Sequence, residues 1–364
     1  MERDKVVRAL QKVRDPLTGN DIISAGLVET LEISEGNAVH ITLMIASPNL
    51  PHKSELNFSC IGAIQDEYPF AEVHVHLKTK ATDTDKPESP LPNLKNIIAV
   101  GSGKGGVGKS TVSLNLALAL KQMGYQVGLL DADIYGPSLP TMTNMRSERP
   151  SIQDVYGSPK IVPLMAFNMP VISMGFLIEP EQAVVLRGPR LAGILKQFFM
   201  DTLWPELDYL IVDLPPGTGD IQLTLVQTVP VTGAIIVTTP QDVAIADALK
   251  AANMFKLDQV KVPVIGIVEN MSWFTPEELP DNKYYIFGQG GGKQLAQQSN
   301  TVLLGQIPLV QSIREGSDNG QPAILQGGVI ASHFMTIAEN MVRQMAYRNE
   351  TIAPTERVLI NPQL

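Results

Sequence analysis

Two rhythms of apolar and polar positions divide the chain. In the first stretch Val6, Ala9, Leu10 and Val13 recur at helical spacing and predict a helix over residues 5–14. Short apolar runs over 27–33 and 39–46 flank the turn-forming Glu35-Gly36-Asn37 and predict a hairpin. Residues 56–67 read as a second helix, and 72–77 alternate as a third strand. The order helix, strand, strand, helix, strand describes a small α/β domain. From residue 95 the apolar runs lengthen and become nearly continuous, as strands buried on both faces do. They predict strands over 96–100, 126–130, 207–212, 232–238, 262–268 and 302–307. Helical patterns over 109–122, 187–203, 221–228, 243–254 and 328–347 alternate with them. That alternation predicts a mostly parallel sheet covered by helices on both faces.

Between the two rhythms lies TKATDTDKPESPLP, residues 79–92, where Pro87, Pro90 and Pro92 stand among Asp83, Asp85, Lys86 and Glu88. Such a stretch has little to bury and reads as a semi-extended linker, the alternative being a long surface loop within one domain. The expected organisation is a small domain over 1–78, a linker over 79–94 and a large domain over 95–364. A length of 364 residues accommodates both cores.

Composition narrows the function. The 28 basic and 37 acidic side chains leave a net charge of −9, which disfavours bulk nucleic-acid binding. One cysteine, Cys60, excludes a disulfide framework and any closed all-cysteine metal site within one chain. No apolar run reaches the length of a membrane span, and MERDKVVRAL lacks the apolar core of a signal peptide. The expectation is a cytoplasmic protein in a reducing compartment.

The segment IIAVGSGKGGVGKST, residues 97–111, carries the chemistry. An apolar strand enters a glycine-rich turn that opens directly into an apolar helix. Gly103, Lys104, Gly105, Gly106, Val107, Gly108, Lys109 and Ser110 match the phosphate-binding pattern G-x-x-x-x-G-K-S/T, and Thr111 follows. Glycines let backbone N–H groups converge on phosphate oxygens, and the helix N-terminus adds partial positive charge. Lys109 suits the β- and γ-phosphate oxygens, and the Ser110 hydroxyl suits Mg²⁺. Lys104, inside the loop, reads either as a charge that reaches a γ-phosphate across a dimer interface or as an exposed lysine. Two acidic strand ends follow. Asp133, in DADIYGPSLP, is a candidate for orienting the attacking water or the water shell of the metal, while Asp131 reads as structural or as an outer neighbour of Mg²⁺. Asp213, in YLIVDLPPGTGD, is the candidate acidic partner of Mg²⁺. All these loops leave the carboxyl ends of parallel strands, where ligands bind in such sheets. Farther on, Asn270 is a candidate for the adenine edge, and backbone around Pro308 for the same pocket. No Asn-Lys-x-Asp loop for guanine is present, so ATP is the expected nucleotide.

The chain resembles the Mrp/ApbC family of P-loop ATPases, iron–sulphur cluster carriers. The resemblance rests on GKGGVGKS, DADIYGPSLP, DLPPGTGD, TTPQDVA (238–244) and ENMS (269–272). Arg14-Asp15-Pro16 and Ser24-Ala25-Gly26-Leu27-Val28 resemble the cluster-assembly-factor domain that many bacterial members carry at their N-terminus. The resemblance implies a P-loop NTPase fold, a homodimer with two nucleotides at its interface, Lys104 acting in trans, and apo iron–sulphur proteins or assembly factors as clients. Members that carry clusters usually have C-x-x-C after the ENMS stretch, so that two subunits supply four thiolates. Here the register falls near Pro276 and Leu279, among Glu277, Glu278 and Asp281, hard oxygen donors that a cluster does not favour. The Pro48-Asn49-Leu50-Pro51 stretch of the small domain likewise lacks the cysteine often found there. Cys60, in a predicted helix, reads as a core residue. His74 and His76 share one strand face, compatible with a metal site or simply polar; His40 and His52 lie in the same domain, and His333 receives no role. Two functions stay open: a carrier or assembly factor for clusters, and a nucleotide-switched scaffold or regulator that holds none. A membrane-partitioning ATPase is disfavoured, because TERVLINPQL is too short for an amphipathic anchor.

Overall fold

In the computed structural model the described residues are 1–14, 20–33, 38–45, 53–79, 91, 93–134, 136–155, 157–177, 188–219, 222–223, 229–258, 260–276, 278–279 and 282–352. The chain divides into two units, Met1–Lys86 and Pro87–Leu364. The first follows the predicted order: α1 (Arg3–Leu10), β1 (Val28–Ile33), β2 (Ala38–Ile45), α2 (Lys53–Glu67) and β3 (Glu72–Thr79). Val6, Ala9, Leu10 and Val13 are all buried, as their spacing requires. α1 stops short of the predicted end because Val13 leaves the helix and its carbonyl accepts from the Ile22 N–H at 3.1 Å. β1 pairs antiparallel with β2, and β2 parallel with β3, with α2 making the crossover. The Glu35-Gly36-Asn37 turn lies outside the described residues.

The second unit is built on an eight-stranded sheet. Its elements are β4 (Leu94–Gly101), α3 (Lys109–Gln122), β5 (Val127–Asp131), α4 (Leu139–Met142), β6 (Ile152–Val155), β7 (Ser158–Ile161), β8 (Leu164–Ala166) and β9 (Met169–Ser173). They continue with α5 (Gly188–Asp201), β10 (Leu207–Asp213), β11 (Gly233–Thr238), α6 (Asp242–Phe255), β12 (Val264–Glu269), α7 (Gly291–Gln298), β13 (Leu303–Gln306), α8 (Gln311–Asp318), α9 (Ala323–Gln326) and α10 (Gly328–Thr351). The strand order is β13-β12-β11-β4-β10-β5-β9-β8, parallel except for β8 against β9; β6 and β7 form a separate hairpin.

The continuous apolar runs serve two cores. Ile97 and Ala99 of β4, with Leu210 and Val212 of β10, face one side, where Phe198, Phe199 and Phe255 pack. Ile98 and Val100, with Ile211, face the other, against α3 and α10. α3 packs on the sheet with α9 and α10 against it, α10 itself resting on β12 and β13. This position explains why Val112 to Leu120 are buried all round and show no amphipathic stripe.

Several elements depart from the sequence reading. β8 and β9 were not expected, because Pro163 and Pro170 interrupt their apolar run. The pairing with β5 starts at Val171, one residue past Pro170, so the missing N–H is never required. α5 ends at Asp201 rather than 203, since the Leu203 N–H bonds instead to the Ile161 carbonyl at 2.8 Å. Of the helix expected over 221–228, only Gln222 and Leu223 are described.

Candidate nucleotide site

β4 delivers the loop Ser102–Gly108 to the N-terminus of α3. Gly106 and Gly108 sit at φ +78° and +81°, a left-handed conformation that favours glycine. Gly103 is required for a different reason: a Cβ there would run into the carbonyl carbon of Asp247 and the nitrogen of Ala248, both backbone atoms of α6. The loop is held further by the Gly217 N–H donating to the Ser102 carbonyl at 2.9 Å, and by the Ser102 hydroxyl donating to the Lys104 carbonyl at 3.0 Å.

The predicted phosphate and metal residues converge. Asp131 and Asp213 end the adjacent strands β5 and β10 and stand opposite each other in register. Lys109 Nζ lies 2.8 Å from Asp213 Oδ1 and 3.9 Å from Asp133 Oδ2, and it donates to the Ser110 hydroxyl at 3.3 Å. Ser113, one helical turn beyond Lys109, donates its hydroxyl to Asp213 Oδ1 at 2.7 Å. Sequence reading missed Ser113, although its i+4 spacing from Lys109 puts both on one helix face. A cavity of about 10 Å³ is lined by Ser110, Ser113, Asp131, Ser138 and Asp213, with the side chains of Leu129, Leu139 and Met142. Its hydroxyl and carboxylate donors suit Mg²⁺, which takes one or two carboxylates and completes its shell with phosphates and water. Among the described residues no group of three or more His, Cys, Asp or Glu is arranged to hold a metal without such help.

Asp131 is strongly perturbed by its surroundings. Burial, reinforced by the charge of Asp213, pushes its carboxyl up to about 7, against the opposing pull of Lys109 and of hydrogen bonds from Leu139 and Ser173. Asp133 accepts from the Gly136 N–H at 3.2 Å. Gln222, also unforeseen, donates to the carbonyls of Pro215 at 3.1 Å and Pro216 at 2.7 Å, bracing the loop after Asp213.

The other candidates take other positions. Lys104 Nζ faces Gln241 Oε1 at 3.4 Å within the same chain. Asn270 donates its amide to the Val107 carbonyl at 2.8 Å and so sits under the phosphate loop. Thr111 is in the first turn of α3, its carbonyl accepting from the Asn115 amide. Pro308 is buried on the loop after β13, between Ile307, whose carbonyl accepts from the Ser272 N–H, and Leu309, whose N–H donates to the Trp273 carbonyl.

The segment after ENMS is tied at both ends. Phe274 and Tyr284 exchange backbone hydrogen bonds, each 2.8 Å. Between them Pro276 is half-buried and Leu279 exposed, while Glu277 and Asp281 lie outside the described residues. Trp273 beneath this segment carries Lys283 over its ring at 4.2 Å and meets His333 edge-on. In the first unit, Cys60 is fully buried and its thiol is pushed up to about 12 by burial, a core residue as expected. His40 and His74 stack at 4.7 Å on the strand face that His76 shares; His52 lies outside the described residues.

A strand, a glycine loop, a helix and two acidic strand ends in this order define a P-loop ATPase fold. The family described as NUBPL iron-transfer P-loop NTPase matches residues 93–342, and an iron–sulfur cluster assembly protein family matches residues 3–76. The chain is 42% identical over 357 residues to the iron–sulfur cluster carrier protein of Deinococcus radiodurans, covering 97% of this chain and 98% of that one. It is 44% identical over 328 residues to the protein of the same name from Synechocystis, covering 88% and 91%. Among solved structures it is similar to a nucleotide-binding protein of Archaeoglobus fulgidus in complex with ADP, with TM-score 0.56 and 37% identity over 64% of this chain and 89% of that one. It also shares its fold with the septum-site-determining protein MinD of Pyrococcus horikoshii, with TM-score 0.52 and 21% identity over 70% of this chain and 99% of that one. The chain belongs to the iron–sulfur cluster carrier family of P-loop ATPases. No helix among the described residues is long and apolar enough to cross a membrane.

Proposed function

We propose that this protein is an ATPase that hydrolyses ATP to ADP and phosphate and uses the cycle to handle iron–sulphur clusters, as carrier or assembly factor for apoproteins. The observation that carries this reading is Lys109 at the mouth of a glycine loop, facing Asp213 and Asp133 at neighbouring strand ends. ADP in the similar archaeal structure supports a nucleotide in this loop. Loop amides and Lys109 bind the phosphates, and Ser110 and Asp213 hold Mg²⁺. The ion, when bound, neutralises charge on the phosphate oxygens. Asp133 orients the attacking water, and the loop braced by Gln222 follows the state of the γ-phosphate. The family relationship supports a homodimer in which Lys104 leaves Gln241 and reaches the nucleotide of the partner subunit.

The cargo is the point of tension. A dimer of this chain has two cysteines, one per subunit, and Cys60 is buried, so the protein by itself does not furnish four thiolates to one cluster. That observation favours a second reading, a nucleotide-switched scaffold that directs cluster transfer between other proteins without ligating the cluster. Anaerobic incubation of the full chain with iron and sulphide, followed by iron quantification and visible absorption, separates the two. Stoichiometric iron with sulphide-to-iron charge transfer supports the carrier. ATP turnover without bound cluster supports the scaffold, and absence of ATP turnover overturns both.

A further inference from the structure

The loop that carries Asp133 is braced from outside as well as by its own hydrogen bonds. Its anchor is Asp131, whose Oδ1 accepts the Asp133 N–H at 3.1 Å and whose Oδ2 accepts the Leu139 N–H at 3.2 Å. The remaining hydrogen bond to Oδ2 comes from outside the loop: the Ser173 hydroxyl, at the end of the adjacent strand β9, donates to it at 2.9 Å. The same hydroxyl accepts the Gly175 N–H at 3.0 Å, which fixes the turn Met174–Phe176 that follows. Asp131 and Ser173 are 1% and 0% exposed, so their hydrogen bond is shielded from bulk water.

The turn then meets the loop a second time. A Cβ on Gly175 would lie 2.8 Å from Cγ of Pro140 and 3.0 Å from Cβ of Pro137. Only a residue without a side chain lets the two prolines rest there, and proline rings yield little because their torsions are fixed. One end of the Asp133 loop is thus held by a polar chain from Ser173 through Asp131, and the other by direct contact of Gly175 with Pro137 and Pro140.

We infer that Ser173 and Gly175 are positioning residues of ATP hydrolysis, which set the Asp133 loop from the neighbouring strand without touching the nucleotide. This rests on the ATPase reading above. A displacement of the loop by a fraction of an ångström moves Asp133 relative to the γ-phosphate while leaving Lys109, Ser110 and the loop amides in place. The effect therefore falls on turnover rather than on binding.

The test is steady-state phosphate release by the full chain with Mg-ATP, together with titration of a fluorescent ADP analogue. Ser173→Ala should lower kcat by roughly threefold to tenfold, the worth of one buried hydrogen bond, with nucleotide affinity within about twofold. Ser173→Thr, which keeps the hydroxyl, should recover most of that loss. Gly175→Ala should give the same split by pushing on Pro137 and Pro140. Unchanged kcat in both Ser173→Ala and Gly175→Ala, or equal loss of kcat and affinity, overturns the assignment. Wild-type protein that binds the analogue but releases no phosphate overturns the ATPase reading itself, a result distinct from a defect confined to the variants.

Discussion

Lys109 and Asp213 close on each other across the site, Nζ to Oδ1 at 2.8 Å, with both side chains almost wholly buried. The lysine that the motif assigns to phosphate is also the counter-charge of the acid assigned to magnesium. Lys109→Ala leaves Asp213 and its neighbours without that charge, and a broken buried pair costs about 3–5 kcal/mol. Urea unfolding in the absence of nucleotide should register this loss, and ATP turnover should fall at least about a hundredfold. A variant as stable as the parent would mean that the pair contributes nothing to the nucleotide-free state.

Asp131 predicts a pH dependence. Its carboxyl titrates near 3.8 in ordinary surroundings and is raised to about 7 in the folded chain, chiefly by burial. The folded state then binds the proton more tightly than the unfolded state. The associated stability is complete below the lower value and is lost as pH rises through the higher one. Asp131→Asn removes this term. Between about pH 5 and 7 the unfolding free energy of the variant should gain on the parent by on the order of 2–3 kcal/mol, and the difference should be level above about pH 8. Chemical denaturation at four pH values checks it; a constant difference across that window would show an acid ionised throughout.

Asn270 tests whether the amide serves the base or the loop. Its Nδ2 already donates to the Val107 carbonyl at 2.8 Å. Asn270→Ala should weaken ATP and GTP binding together, by about tenfold, and cost about 1–2 kcal/mol of stability for the buried carbonyl left without its donor. Selective loss of ATP over GTP, read by competition titration, would instead favour contact with the adenine edge.

Gly103→Ala should be more damaging than its one added carbon suggests. The new Cβ would collide with the α6 backbone at Asp247 and Ala248, and backbone cannot rotate aside as a side chain does. The loop must shift, and nucleotide affinity should drop by at least about tenfold, with a stability loss of about 1–3 kcal/mol from overpacking. Gly105→Ala serves as the comparison, because its Cβ would meet Pro216 only at 3.9 Å. Equal affinities in the two variants would rule out the contact with α6 as the constraint.

Much of this was legible from residues 97–111, because strand, turn and helix are adjacent in sequence and the chemistry of each is local. The order of elements in the small unit was legible for the same reason, since Val6, Ala9, Leu10 and Val13 report one buried face. What sequence could not supply were the contacts between distant segments. Ser173 lies in no motif and reaches Asp131 only because β9 pairs with β5, and β9 is itself masked by prolines. Gln222 falls in a weak helical pattern, and its partners are carbonyls, which leave no trace in residue type. Asn270 was singled out for a plausible acceptor on the nucleotide, but the acceptor it meets here belongs to the chain itself.

The reciprocal bonds between Phe274 and Tyr284 give the intervening segment the character of an exchangeable cassette. Both of its ends are clamped to each other, and the strand behind it is anchored separately through Asn270 and Thr238. Its composition can therefore drift without disturbing the sheet or the phosphate loop. In such an arrangement positions such as Pro276 and Leu279 are open to exchange while Lys109 and its acids stay in place, so the sequence of this segment and the nucleotide site are separate variables.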